Sequence, residues 1–190
     1  MFTSYSSARV PPTKITAMGT ENIICEDTEI QGGSIHFGGS NIVHPKSKIR
    51  NEAGGAIVFG NRNVIEEGAV IINWSSETLN IGSDNLFEVG CVFEGLGIGD
   101  GCVIEPKARI LPGASLGDNC VVGAMCKTFE RDVVPNDTVI FGGNNDRRIQ
   151  TARSKEQEIL HTKHIEYLKD VLKRSHPAKA GITQTIGVVS

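Results

Sequence analysis

The chain has 190 residues and a net charge of −3, with 22% charged and 39% hydrophobic residues, a mean hydropathy of −0.11 and a pI near 6.0. That balance fits one globular domain with its own core and excludes a disordered chain. No apolar run reaches the roughly 18 residues of a membrane span, and no basic field points to nucleic acid as the main partner. Twenty-two glycines against 5% aromatics direct the reading to a backbone of many tight turns. Five cysteines without a CxxC pair fit a reducing compartment and offer no zinc or dithiol motif.

Residues 1–20 lack the apolar stretch of a secretory signal; they carry Ser and Thr with Arg9 and Lys14 and only a weak transit-peptide character. They are expected to form a flexible segment. From residue 21 to 146 a six-residue period organises the chain. Aliphatic or Phe residues recur at Phe59, Ile65 and Ile71, at Ile81, Phe87 and Phe93, and without a break at Ile98, Ile104, Ile110, Leu116 and Val122. Several are followed directly by Gly, and a small residue stands four positions after each, as in Asn63, Ala69, Cys91, Cys102, Ala108, Cys120 and Cys126. This hexapeptide pattern predicts a mainly β fold: a left-handed parallel β-helix of about six coils, three short strands to a coil.

Strand alternation assigns directions: the large residue and the small one two places before it point in, and the residue between them points out. One outward face then receives Ile42, Val64, Leu86, Val103, Val121 and Val139, an unbroken apolar stripe of about 25 Å at ~4.8 Å per coil. A second receives Lys48, Val70, Val92, Arg109 and Lys127; a third has Val58, Asn80, Gly97, Ser115 and Val133. Such a stripe needs a cover, from the chain itself or from a partner. Glu66, Glu88 and Glu105 stack at one corner of the prism, with His44 one coil earlier and Lys46 and Lys107 positioned to compensate their charge. Four of the five cysteines sit at the inward small site and read as core filler.

Two stretches exceed the six-residue step, Arg50–Gly55 and Asn73–Asn80, and the second holds the single Trp, Trp74, as an anchor for a partner or a lid folded back on the coil. Beyond residue 146 the pattern changes. Residues 147–176 are expected to be a linker and a helix, Ser154–Arg174, with Leu160, His164, Leu168 and Val171 or Leu172 at helical spacing and Ser154 with Gln157 as a capping box. At ~1.5 Å per residue the helix is about 30 Å long, matching the stripe, and is expected to pack along the β-helix. Residues 177–190 read as a flexible tail.

Histidines are too sparse for a catalytic metal centre: His36 and His44 alone stand in the coils, and the helical pair His161 and His164 reads as solvated. No cofactor signature is present. An acyltransferase working as a homotrimer, with His36 or His44 as base and coenzyme A along the prism, is the enzymatic alternative.

The repeat resembles the γ-carbonic anhydrase-like branch of the hexapeptide proteins. Within it, four segments resemble the small pointed-end subunits of the dynactin complex: Ile42–Asn73, Asn80–Gly95, Val103–Ile110 with Val122–Gly143, and Arg147–Thr151. The resemblance spans about residues 21–153. It implies a non-catalytic assembly subunit in the cytoplasm and cytoskeleton that pairs with dynactin subunit 5. The further partners it implies are dynactin subunit 4 and the actin-related capping subunit, and indirectly dynein and its cargo adaptors. It adds a degenerate γ-carbonic anhydrase-like subunit to the acyltransferase as an enzymatic alternative, but does not carry the carbonic anhydrase ligands over. Where that family closes a segment with His this chain reads Ile72-Asn73-Trp74, and its VGHxxxLHG-like stretch reads Val89-Gly90-Cys91-Val92-Phe93-Glu94-Gly95. The candidate partner-contact residues are therefore Ile42, Val64, Leu86, Val103, Val121 and Val139 on the stripe, the Glu66, Glu88 and Glu105 corner, Arg109 and Lys127 on the second face, and Trp74.

Overall fold

The hexapeptide period is realised as a parallel solenoid in the computed structural model, which describes residues 12–17, 19–151, 155–179 and 183–184. It is a left-handed β-helix of about six turns with one C-terminal helix. The outward rows stack as the alternation requires. On the first face Ile23, Ile42, Val64, Leu86, Val103, Val121 and Val139 are register partners from coil to coil. Lys48, Val70, Val92 and Arg109 line up on the second, with Lys127 bridged above. His36, Val58, Asn80, Gly97, Ser115 and Val133 line up on the third.

The inward large residues fill the bore as one continuous core that includes Phe37, Phe59, Ile65, Phe87, Phe93, Ile104 and Val122. Phe37 and Phe59 stack at 4.7 Å between centroids, and Phe87 meets Phe93 edge-on at 5.9 Å. At the corner before the first face the inward small residues are polar and form a ladder. Asn22 Oδ1 accepts from the Asn41 N–H, Asn41 Oδ1 from the Asn63 N–H, Asn63 Oδ1 from the Asn85 N–H, and Asn85 Oδ1 from the Cys102 N–H. Cys102 Sγ then accepts from the Cys120 N–H. Each coil thus satisfies a buried backbone donor of the next.

The corners also account for the glycines that follow the large residues. A Cβ on Gly82 or Gly99 would lie 2.5 Å or less from atoms of the coil above, so backbone alone fits there. At the Glu corner the turn residue is left-handed on five successive coils, filled by Gly68 and Gly90 and, at φ 59°, by Lys46, Lys107 and Met125.

Helix α1, Lys155–Ser175, descends along the first face. Ile165, Leu168 and Leu172 pack on Ile23, Ile42, Val64 and Leu86, and Cys25 completes this second core. Polar contacts fix its register: His161 Nε2 lies 2.9 Å from the Arg62 carbonyl oxygen, and Lys169 Nζ donates to Glu21 and Ser40. The expected capping residue Ser154 lies outside the described residues.

Both ends differ from the loose segments expected. Lys14–Ala17 is a strand paired in register with Ser34–Phe37, so the solenoid begins before residue 21. The segment after α1 returns to this first coil: the Glu26 N–H donates to the Pro177 carbonyl, Ala178 bridges Cys25, and Thr183–Gln184 pairs with Thr16 and Ala17. An open strand edge there has unpaired N–H and C=O groups, and the tail supplies partners for them. At the other end Asp146–Ile149 turns back antiparallel on Thr138–Phe141, carrying the β structure past residue 146. Residues 1–11, 18, 180–182 and 185–190 of these expected segments lie outside the described residues.

Candidate partner-binding surfaces

The apolar stripe is divided between intramolecular and open surface. Ile42 and Val64, expected among partner contacts, are fully buried beneath α1, because Ile165, Leu168 and Leu172 of the helix pack in one cluster with them. Val139 is also buried. Leu86, Val103 and Val121 are only half covered and floor a groove beside the N-terminal half of α1, where Leu160, His161 and His164 form the opposite wall. Leu160 is 65% exposed. The helix therefore covers the lower coils and leaves the upper ones open.

The carboxylate corner flanks that groove. Glu66, Glu88 and Glu105 follow the stripe's register partners Ile65, Phe87 and Ile104, so they stack on successive coils as expected. Glu105 accepts a hydrogen bond from the Ala124 N–H at 2.8 Å. Burial, with the charges of Glu66 and Glu105, pushes the Glu88 carboxyl above the ordinary range. Lys46 does not compensate the ladder: it pairs with Glu67 of the next coil at 2.7 Å.

On the second face Arg109 and Lys127 are exposed, while Val70 and Val92 are half-buried. Trp74 stands on its loop beside this face, 53% exposed, and Nε1 donates to Glu94 at 2.9 Å. Glu94 also lies 3.8 Å from the Arg109 guanidinium. The indole is thus oriented by a carboxylate yet keeps half its surface free, between the two expectations for it. The loop is held by Asn73, whose Nδ2 donates to the Ala56 and Glu77 carbonyls while Oδ1 accepts from the Ser75 N–H.

Sequence reasoning missed a further surface. Met125, Phe129, Val133, Phe141 and Ile149 are exposed near the C-terminal end, with Arg147 over the Phe129 ring at 4.9 Å. Met125, Phe129 and Ile149 stand off the inward phase, which is the signal that marks them in the sequence.

The residues considered for catalysis do not converge. His36 belongs to the outward row of the third face, whereas His44 stands at the corner after the first face. At the carbonic anhydrase ligand positions Asn73 is engaged in the loop bonds above, and Cys91 is a buried core residue whose thiol is pushed up to about 12 by desolvation. All five cysteines are buried thiols. Among the described residues no group of three metal-ligating side chains occurs, and no helix is long and apolar enough to cross a membrane.

Residues 97–128 match the family model described as bacterial transferase hexapeptide (six repeats). A hexapeptide transferase family protein from Anaplasma phagocytophilum covers 85% of the chain and 98% of its own, at 11% identity and a TM-score of 0.44, a likeness too low to carry an argument. The curated relatives are more informative. A protein named dynactin subunit 6 from Danio rerio is 37% identical over 184 residues, covering 91% of this chain and 92% of its own. One of the same name from Nematostella vectensis is 34% identical over 184 residues, covering 92% and 97%. On identity and coverage of that extent, the chain belongs to the dynactin subunit 6 family.

Proposed function

We propose that the chain is a non-catalytic structural subunit at the pointed end of dynactin. In this reading it pairs side by side with dynactin subunit 5. With subunit 4 and the actin-related capping subunit it supports cargo-adaptor binding by dynein in the cytoplasm. The observation that carries this reading is the 34–37% identity over about nine-tenths of the chain to proteins named dynactin subunit 6. The architecture suits the role. A solenoid is a stiff rod with long parallel rows of outward side chains. Here one row is partly occupied by the chain's own helix, and another carries Val70, Val92 and Arg109 beside a half-exposed Trp74. Exposed Trp and Arg beside aliphatic residues are the composition of an interface centre.

Light scattering on the purified chain, alone and mixed with dynactin subunit 5, tests the reading. A monomer that becomes a one-to-one heterodimer is expected, with pairing lost in Trp74→Ala/Val92→Asp while the unfolding midpoint stays within a few degrees. A stable homotrimer that ignores subunit 5 would overturn it and return attention to intersubunit catalysis at His36 or His44.

A further inference from the structure

The groove on the upper first face has about 430 Å³ of space over Leu86, Val103 and Val121. Lower on the same face the row is closed, with Ile165, Leu168 and Leu172 over Ile23, Ile42 and Val64. The closed half shows what the open half fits. Coils repeat at about 4.8 Å and helical turns at about 5.4 Å, so a helix laid along the stack sets one side chain on each coil. Leu86, Val103 and Val121 continue that repeat, and the exposed Leu160 borders it on the α1 side. From Leu86 to Val121 the floor runs two coil steps, about 10 Å or roughly two helical turns, and the groove has room for the apolar side chains that a second helix beside α1 would insert.

Charge selects which helix. The side of the groove away from α1 is the carboxylate corner, with Glu88 in the wall and Glu66 and Glu105 on the adjoining coils. Among the described residues, the acids in ion pairs are others, such as Glu67, Glu29, Glu52, Asp84 and Glu94; Glu66, Glu88 and Glu105 have none. Three stacked carboxylates that, among the described residues, neither Lys46 nor Lys107 engages in an ion pair, beside an uncovered aliphatic floor, are complementary to a surface that is apolar in the middle and basic along one edge. We propose that this groove seats an amphipathic helix of a partner protein, with aliphatic residues against Leu86, Val103 and Val121 and Lys or Arg along the edge facing Glu66, Glu88 and Glu105. The raised Glu88 carboxyl agrees with this, since a docked cation relieves the crowding that raises it. A second copy of the chain is a poorer occupant, because its only described helix, α1, is already committed to its own solenoid.

The inference extends the subunit reading by naming the chemistry of a contact. A photo-crosslinking residue at Val121 or Leu160, in the full chain expressed in cells, is activated and the complex purified, and the crosslinked segment is mapped by mass spectrometry. The expected segment has apolar residues at i, i+4 and i+7 flanked by Lys or Arg. A synthetic peptide of it, helical by circular dichroism when bound, is expected to bind at least tenfold more weakly to Glu88→Gln/Glu105→Gln and to weaken with salt. The double variant keeps its fold, since it removes only crowded charge, and thermal unfolding verifies this. Crosslinks confined to the chain itself overturn the proposal. So does an acidic or extended segment, or a peptide indifferent to the two substitutions. If the chain enters a complex other than dynactin, the subunit reading falls alone, because the crosslinked segment is judged by the same criteria in whichever complex holds it.

Discussion

Asn63 is wholly buried yet polar, and every polar atom of its side chain is used. Its Nδ2 donates to Asn41 Oδ1 at 3.0 Å and to the Gly82 carbonyl at 2.9 Å, and its Oδ1 accepts from the Asn85 N–H at 3.0 Å. Truncation strands the Asn85 N–H and the Gly82 carbonyl in the interior, each at a cost of ~1–3 kcal/mol. Asn63→Ala is therefore expected to lose about 2–4 kcal/mol in urea unfolding, whereas Asn80→Ala, on the exposed third-face row, is expected to change stability by less than about 0.5 kcal/mol. Equal losses would mean that the ladder does not hold the coils together. The sequence shows Asn63 and Asn85 as small inward residues of the repeat, and the structure keeps them there. What it does not show is the hydrogen-bond chain, because the partner of each amide stands 22 residues away and a short spacing pattern carries no record of it. The same limit applies to Lys46, whose ion-pair partner Glu67 stands 21 residues away.

Helix α1 shows the same division at the scale of an element. Its apolar spacing and its length match the stripe, and from those alone the packing against the first face is legible. Its course is not: nothing in the helical period says that Ile165, Leu168 and Leu172 cover the first coils and leave Leu86, Val103 and Val121 beside an open groove. The docked helix also acquires a pH dependence through His44, at the corner next to it. Burial is the main cause lowering the His44 pKa, helped by the nearby charges of His164 and His176, while Glu67 opposes the shift. A lowered value means that the folded chain binds the proton less readily than the unfolded chain. The stabilisation is fully present above the unfolded value of about 6.5 and is lost as pH falls below it and through the lower folded value. Amide exchange across Ile165–Leu172, corrected for the intrinsic pH effect, is expected to be several-fold faster relative to the core at pH 5.5 than at pH 7.5. His44→Gln should flatten the difference. Protection of α1 that is the same at both values in the unaltered chain would refute the linkage.

At the scale of the whole molecule a solenoid has two ends, and its neighbour-only contacts leave each end to be closed by something other than the repeat. The N-terminal end is closed by the far end of the same chain: Pro177 accepts from Glu26, Lys179 donates its N–H to the Ile24 carbonyl, and Thr183–Gln184 extends the third face below Lys14–Ala17. At the C-terminal end the Asp146–Ile149 hairpin closes the first face and the Lys127 N–H of the second face donates to Asn145 Oδ1, whereas among the described residues the third face stops at Val133–Val134 among exposed Phe129, Val133 and Phe141. Six-residue periodicity made the coils legible but neither closure, since both depend on segments that leave the repeat, one of them joining residues more than 150 positions apart. If the tail is a cap, a chain ended at Ser175 exposes the edge of the first coil and nothing else. The Glu26 amide should then lose its protection and the chain should self-associate as concentration rises, through pairing of the bared edge. Coils from Ile98 onward should keep their exchange rates, because each depends on its neighbours and not on the distant end. A shortened chain that remains monomeric at all concentrations with Glu26 still protected would show that the first coil closes itself. Loss of protection spread evenly over every coil would instead show that the rod folds as one cooperative unit, with the tail contributing to all of it.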